Sequence, residues 1–273
     1  MLIGLSCWLF LHVNNQWLQT TEYTIKNKKI PQSFHNMKIV HISDLHDARF
    51  GKDQTKLIET VKKANPQLIF FTGDAIDSNR YDLDNTLTVM EKLADIAPVY
   101  YVTGNHEYAV NQVDEIKKSF TDVGVQVLEN DIKTVTINNE SIVLAGIEDP
   151  LSKPEMSAKD VTRLYVDEIN EQSQEELYTI LLAHRPEMFS EYVDGEMDLT
   201  VVGHAHGGQI RLFGLGGLIA PSQGFFPEFT SGVHEENHTQ MLVNRGLGNS
   251  VFPFRIFNRP EIVVIQLKSE SVK

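Results

Sequence analysis

Five short polar stretches lie where apolar, β-branched runs stop: Asp44-Leu45-His46, Gly73-Asp74, Gly104-Asn105-His106-Glu107, His184 and Gly203-His204-Ala205-His206. The runs before them, at 38–42, 67–72, 99–102, 178–183 and 199–202, read as buried strands. In α/β sheets, functional groups collect just beyond the carboxyl ends of strands. A chain whose strands end repeatedly in Asp, Asn or His therefore predicts one sheet rim crowded with polar donors. Alone, each stretch is a common solvated turn; the five in this order are not.

Helices fill the intervals. Leu57, Ile58, Val61 and Ala64 share one face over 53–64, and Asn65-Pro66 stops that helix. Leu83, Leu87, Met90, Leu93 and Ala94 mark a second helix, and Val113, Ile116, Phe120 and Val123 a third, closed by Gly124. The alternation predicts sheets with helical crossovers. The second half is richer in strands. Runs at 132–137 and 142–147 flank Asn138-Asn139, a hairpin turn, and a last strand covers 262–267. A helix is expected at 160–170 and an opening strand near 23–25, while the glycines at 207–208 and 214–217 read as turns. The stretch at 214–217 lacks the strand–turn–helix frame of a nucleotide-binding loop. The length of 273 residues suits a large core, and no composition break divides the chain after residue 37.

The formal net charge of −13 disfavours non-specific nucleic-acid binding, so no nucleic-acid partner is expected. A phosphate-bearing substrate remains compatible, because bound cations reverse the local sign. The single cysteine, Cys7, excludes an internal disulfide and a thiolate metal site. Residues 1–13 (MLIGLSCWLFLHV) are apolar and shorter than the ~20 residues of a comfortable span. The reading is a membrane anchor at 1–20 ahead of a domain at 21–273, placing the protein at a cell membrane on an unassigned side. Lys26, Lys28 and Lys29 are too few to fix its orientation.

A donor set of Asp, Asn and His without Cys suits Mn²⁺, Fe or Zn²⁺, admits Mg²⁺ and disfavours Ca²⁺. The order D-x-H, G-D, G-N-H-E, H, G-H-x-H resembles the calcineurin-like metallophosphoesterase superfamily. The strings IVHISDLH, LLAHRPE, VVGHAHGGQ and NRGLGNS are similar to its bacterial YaeI/YkuE-type phosphodiesterase branch. The resemblance runs from about residue 20 to 268. It implies two packed mixed β-sheets flanked by helices, a four-layer α/β/β/α sandwich. It also implies two divalent metal ions, one held by Asp44, His46 and His206, the other by Asn105, His184 and His204, with Asp74 bridging them. Metals so paired, about 3.5–4 Å apart, share a water whose pKa falls toward about 7, and the resulting hydroxide attacks phosphorus in line. His106 is assigned the catalytic role of protonating the departing alkoxide or holding a phosphoryl oxygen; Glu107 orients a loop.

The expected activity is phosphoester hydrolysis, with a diester ahead of a monoester. A lipid-linked phosphoester or pyrophosphate of the UDP-diacylglucosamine type is the narrower alternative, and a non-catalytic metal-binding scaffold the competing class. Arg185 reads either as a phosphate contact or as a surface ion pair. His41, inside the first strand, reads as a packed, hydrogen-bonded side chain.

Overall fold

The structure is a computed structural model and describes residues 2–173, 176–249 and 252–270. The first half holds α1 (Leu2–Gln16), β1 (Gln19–Asn27), β2 (Lys38–Ile42), α2 (Thr55–Ala64), β3 (Leu68–Thr72), α3 (Leu83–Ala94), β4 (Val99–Val102), α4 (Asn105–Ala109), α5 (Val113–Asp122) and β5 (Gln126–Val127). Next come β6 (Asp131–Ile137), β7 (Glu140–Gly146), α6 (Ala158–Gln172), β8 (Thr179–Leu182), α7 (Phe189–Asp194) and β9 (Leu199–Val202). Four two-residue strands follow: β10 (Arg211–Leu212), β11 (Gly216–Gly217), β12 (Ile219–Ala220) and β13 (Gly224–Phe225). The chain closes with β14 (Gly232–Glu236), β15 (Thr239–Val243) and β16 (Glu261–Ser269).

Two six-stranded sheets form, in the orders β1-β16-β2-β3-β4-β5 and β14-β15-β9-β8-β7-β6. Both are mixed: β2 through β5 run parallel, as do β7, β8, β9 and β15, while β16 meets β2 antiparallel and hairpins β6/β7 and β14/β15 close the second sheet. The β6/β7 turn is Asn138-Asn139, both at positive φ, as a two-residue hairpin demands.

Successive side chains of a strand face opposite ways, and each face here finds a different core. Ile39, Phe70 and Tyr100 point from the first sheet to meet Leu144, Ile180, Leu199 and Leu242 of the second. Val40, Ile42, Ile69, Phe71 and Tyr101 point outward onto Leu57, Val61, Val89, Met90 and Phe120 of α2, α3 and α5. Leu181 and Val202 pack outward on Val161, Val166, Ile169 and Tyr192 of α6 and α7. This is the four-layer α/β/β/α sandwich that the sequence implied. Because both faces of the central strands are buried, truncating a side chain such as Phe70 costs about 3–5 kcal/mol.

The membrane placement is corrected. Residues 2–16 form one 15-residue helix, and among the described residues no helix is long and apolar enough to cross a membrane. The physical reason lies at its end. Asn14 is buried, and Asn15 Oδ1 accepts from Asn249 Nδ2 and from the Arg255 backbone N–H, each at 2.9 Å. Phe10 meets the edge of Phe257, and the Arg259 guanidinium lies over Trp17. Polar ties thus lead the chain from the helix straight into β1, which pairs in parallel with β16 from Gln19 onward.

Candidate metal centre

The carboxyl ends of β2, β3 and β4 meet those of β8 and β9 along one rim. Each expected residue follows closely on the end of its strand, Asn105 and His106 in α4, and five of them, in the three turns after β2, β3 and β9, take left-handed backbone: Asp44 (φ 51), His46 (φ 47), Asp74 (φ 50), His204 (φ 61) and His206 (φ 48). Non-glycine residues held there cost of order 1–3 kcal/mol each and persist only where the surroundings impose them. Close packing imposes them here. A Cβ on Gly203 would lie 1.8 Å from Ser43 Oγ, and one on Gly104 would lie 2.3 Å from Asp74 Oδ1.

The side chains converge in two overlapping groups. Asp44, His46, Asp74 and His206 bring potential ligand atoms within 4.8 Å of one another, and Asp74, His184 and His204 do the same. Asp74 belongs to both. Its Oδ2 lies 3.6 Å from His46 Nε2 and 3.2 Å from His184 Nε2, while its Oδ1 accepts the His106 backbone N–H at 2.8 Å. His46 Nε2 and His206 Nε2 are 3.1 Å apart, and His206 Nε2 is 3.7 Å from Asp44 Oδ1. In the second group, His184 Nε2 is 3.2 Å from both His204 Nδ1 and Asn105 Oδ1. All eight expected residues, His106 included, therefore stand together, and all but Asn105, which is half-buried, are buried.

The donor set fits divalent cations. Ring nitrogens turned toward one another and toward carboxylates, out of water, are stable only with protons or cations between them. Second partners fix the rings. His184 Nδ1 donates to the Thr72 carbonyl at 2.8 Å, which turns Nε2 inward. Burial alone would lower the His184 pKa, but the adjoining Asp74 carboxylate outweighs burial and raises it to about 10. Burial would likewise raise Asp74, yet His184 and His46 hold it well below the usual carboxylate range. Burial pushes Asp44 up to about 7, and burial followed by the Arg255 cation lowers His206 to about 3. The pair His184 and Asp74 thus favours the ionised form, while burial favours the neutral form of His206.

Several supporting residues surround the cup, and the sequence suggested a role for some of them, Glu107 among them. Glu107 accepts backbone N–H groups from Gly104, Asp74, Ala75 and Ile76, at 2.7 to 3.2 Å, and so pins the turns after β3 and β4 to each other. Glu187, half-buried with both carboxylate oxygens out of water beneath the second group, has Oε1 3.8 Å from His204 Nε2. Its sequence signal is its place at the end of the string LLAHRPE, three residues after His184. Arg185 forms a two-pronged pair with buried Asp149, at 2.7 and 2.9 Å, rather than a surface contact. Arg255 is fully buried, donates to the Gly248 carbonyl at 2.6 and 3.1 Å and lies 3.3 Å from His206 Nδ1. His41 is packed as expected, with Nε2 2.8 Å from Thr72 Oγ1. Finally, the Ser78 backbone N–H donates to His106 Nδ1 at 3.0 Å, which puts the ring proton on Nε2.

Residues 37–208 match the calcineurin-like phosphoesterase family. The chain belongs to that family. Among curated relatives it is 33% identical over 260 residues to the uncharacterized metallophosphoesterase YkuE of Bacillus subtilis, covering 93% of this chain and 87% of that one. It is 26% identical over 242 residues to the phosphodiesterase YaeI of Escherichia coli, covering 84% and 82%. A solved structure with the same fold is the phosphopantetheinyl hydrolase PptH of Mycobacterium tuberculosis (TM-score 0.52, 13% identity, 78% of this chain and 91% of that one). The protein is a metal-dependent phosphoesterase of the bacterial YaeI/YkuE type, acting on a phosphoester, with buried side chains able to hold metal.

Proposed function

We propose that the protein is a two-metal phosphodiesterase whose catalytic unit is residues 21–273. One cation would be held by Asp44, His46 and His206, the other by Asn105, His184 and His204, and both by Asp74. The observation that carries the reading is Asp74, whose Oδ2 faces His46 on one side and His184 on the other, 3.6 and 3.2 Å away. Two bound divalent cations would supply Lewis acidity toward the phosphoryl oxygens and a water acidic enough to attack phosphorus near neutral pH.

The chain's own groups do the rest. His106, with Nδ1 occupied by the Ser78 N–H, presents an Nε2–H that can donate to the leaving oxygen. Glu107 holds the turns that carry Asp74 and His106 at a fixed separation. The preference for a diester follows from charge. Arg49, Arg80 and Arg185 pair with Asp82, Asp77 and Asp149, so little positive charge is left for the second negative charge of a monoester. The name of the relative YaeI, a phosphodiesterase, points the same way.

Hydrolysis of bis(p-nitrophenyl) phosphate by chelator-treated protein, refilled in turn with Mn²⁺, Zn²⁺, Fe²⁺ or Mg²⁺, tests the reading. Activity should vanish with the chelator and return with at least one metal. Metal that binds stoichiometrically without restoring any hydrolysis would make the protein a scaffold.

A further inference from the structure

Two cavities open at the half of the centre that holds His46 and His206, and their chemistry differs. One, of about 400 Å³, includes His46 and runs past Asn15, Arg49, Arg80 and Asp82. The other, of about 360 Å³, includes His206 and is walled by Ile210, Ile219, Ala220, Pro221 and Phe252. The two histidine Nε2 atoms are 3.1 Å apart, so the two cavities border the same half of the centre. Volumes of this size are those of ligand pockets.

The apolar cavity is built rather than incidental. β12 supplies Ile219 and Ala220 and is held by its pairing with β13. Gln209 Nε2 donates to the carbonyls of Phe252 and Phe254, each at 2.9 Å, and so anchors the Phe252 wall. Ile219 and Phe252 are nevertheless 41% and 45% exposed. Apolar surface left open to water beside a polar centre is the mark of a ligand-binding groove. A shared wall with His206 says what that ligand is joined to.

We propose that this cavity seats an apolar substituent of the substrate: the enzyme acts on a phosphodiester that carries a hydrocarbon group on one ester oxygen, the polar remainder facing Arg49 and Arg80. The proposal rests on the phosphodiesterase reading above and narrows its substrate class.

The test is a water-soluble series of alkyl 4-nitrophenyl phosphates, from methyl to pentyl, with kcat/KM measured on the metal-refilled enzyme from release of 4-nitrophenol. Each buried methylene is worth about a fourfold gain, so the series should rise over a hundredfold, by about 200-fold. In Ile219→Asp, which puts a charge on the exposed wall, the series should flatten. A flat wild-type series alongside measurable hydrolysis overturns the apolar subsite and leaves the phosphodiesterase reading standing. A rise that persists undiminished in Ile219→Asp also overturns it, because the gain would then arise elsewhere. No hydrolysis of any member with any metal overturns both.

Discussion

The two halves of the cup are built from similar first contacts but backed by opposite charges. Behind His206 stands Arg255, a buried cation; behind His204 stands Glu187, a buried carboxylate. The first half has Asp44 to itself in addition to the shared Asp74, whereas the second adds the neutral amide of Asn105. The charges therefore compensate. The half richer in carboxylates has a guanidinium behind it, and the half poorer in them borrows a carboxylate from the next layer. Such outer partners orient a ligating imidazole and tune its basicity. The two halves should hold cations of comparable charge by different means, and variants can separate them.

The largest effect falls on what the halves share. Asp74→Ala removes the one carboxylate that faces both and strips the His106 backbone N–H of its acceptor. Diester hydrolysis should drop by at least about 10³-fold, with metal content falling below two per chain by elemental analysis. Retention of two metals and near-normal turnover would mean that the halves are independent. His106→Ala follows. It should lower kcat by about 10² to 10⁴-fold at unchanged metal content; loss of metal instead would make His106 a ligand.

Next come the backing residues, where the comparison is sharpest. Glu187→Gln should weaken one of two cations by about 10–100-fold and leave the other alone, giving a biphasic titration where the parent gives tighter binding. Arg255→Gln should act on the fold instead. It takes the charged donor from the buried Gly248 carbonyl, at about 1.5–3 kcal/mol, with His206 still neutral because burial is the larger cause of its low pKa. If the Arg255 variant lost cation affinity as Glu187→Gln does, the two backings would be equivalent.

How much of this was legible from the chain divides along a physical line. A continuous apolar, β-branched run is a local property, so β2, β4 and β9 have the bounds that their residues suggest. The Asp, Asn and His side chains gathered at the rim were legible because a strand end forces its next residues into the rim. Hairpin β14/β15 was not, since Gly232–Glu236 is an exposed, polar edge strand whose partner supplies the pattern. Nor was α4, five residues long, which exists because Glu107 folds back onto Gly104. The backing residues stayed hidden for a further reason. Glu187 and Arg255 acquire meaning only through residues 17 and 49 positions away; the string LLAHRPE ends on Glu187 but gives it no role. The apolar N-terminus misled because hydropathy cannot report that Asn14 and Asn15 end the helix against the domain.

The smallest effect concerns protons in place of cations. In the metal-free cup, His184 is raised to about 10 and Asp44 to about 7, against ordinary values of 6.5 and 3.8. A group whose pKa is raised by folding stabilises the fold below its unfolded value, and that contribution is lost as pH climbs through the folded one. Chelator-treated protein should therefore lose the Asp44 contribution between about pH 3.8 and 7 and the His184 contribution between about pH 6.5 and 10, the latter read as a falling Tm. His41, lowered to about 3 by burial, has the opposite sign and acts only on the acid side, below about pH 6.5. Cations displace the His184 proton when they bind, so the metal-loaded protein should lack the alkaline decline, and cation affinity should rise over the same window. A metal-free Tm that holds level or climbs from pH 6.5 to 10 would show that His184 carries no proton there. The contrast between a protonated second half and a neutral first half would then have to be given up.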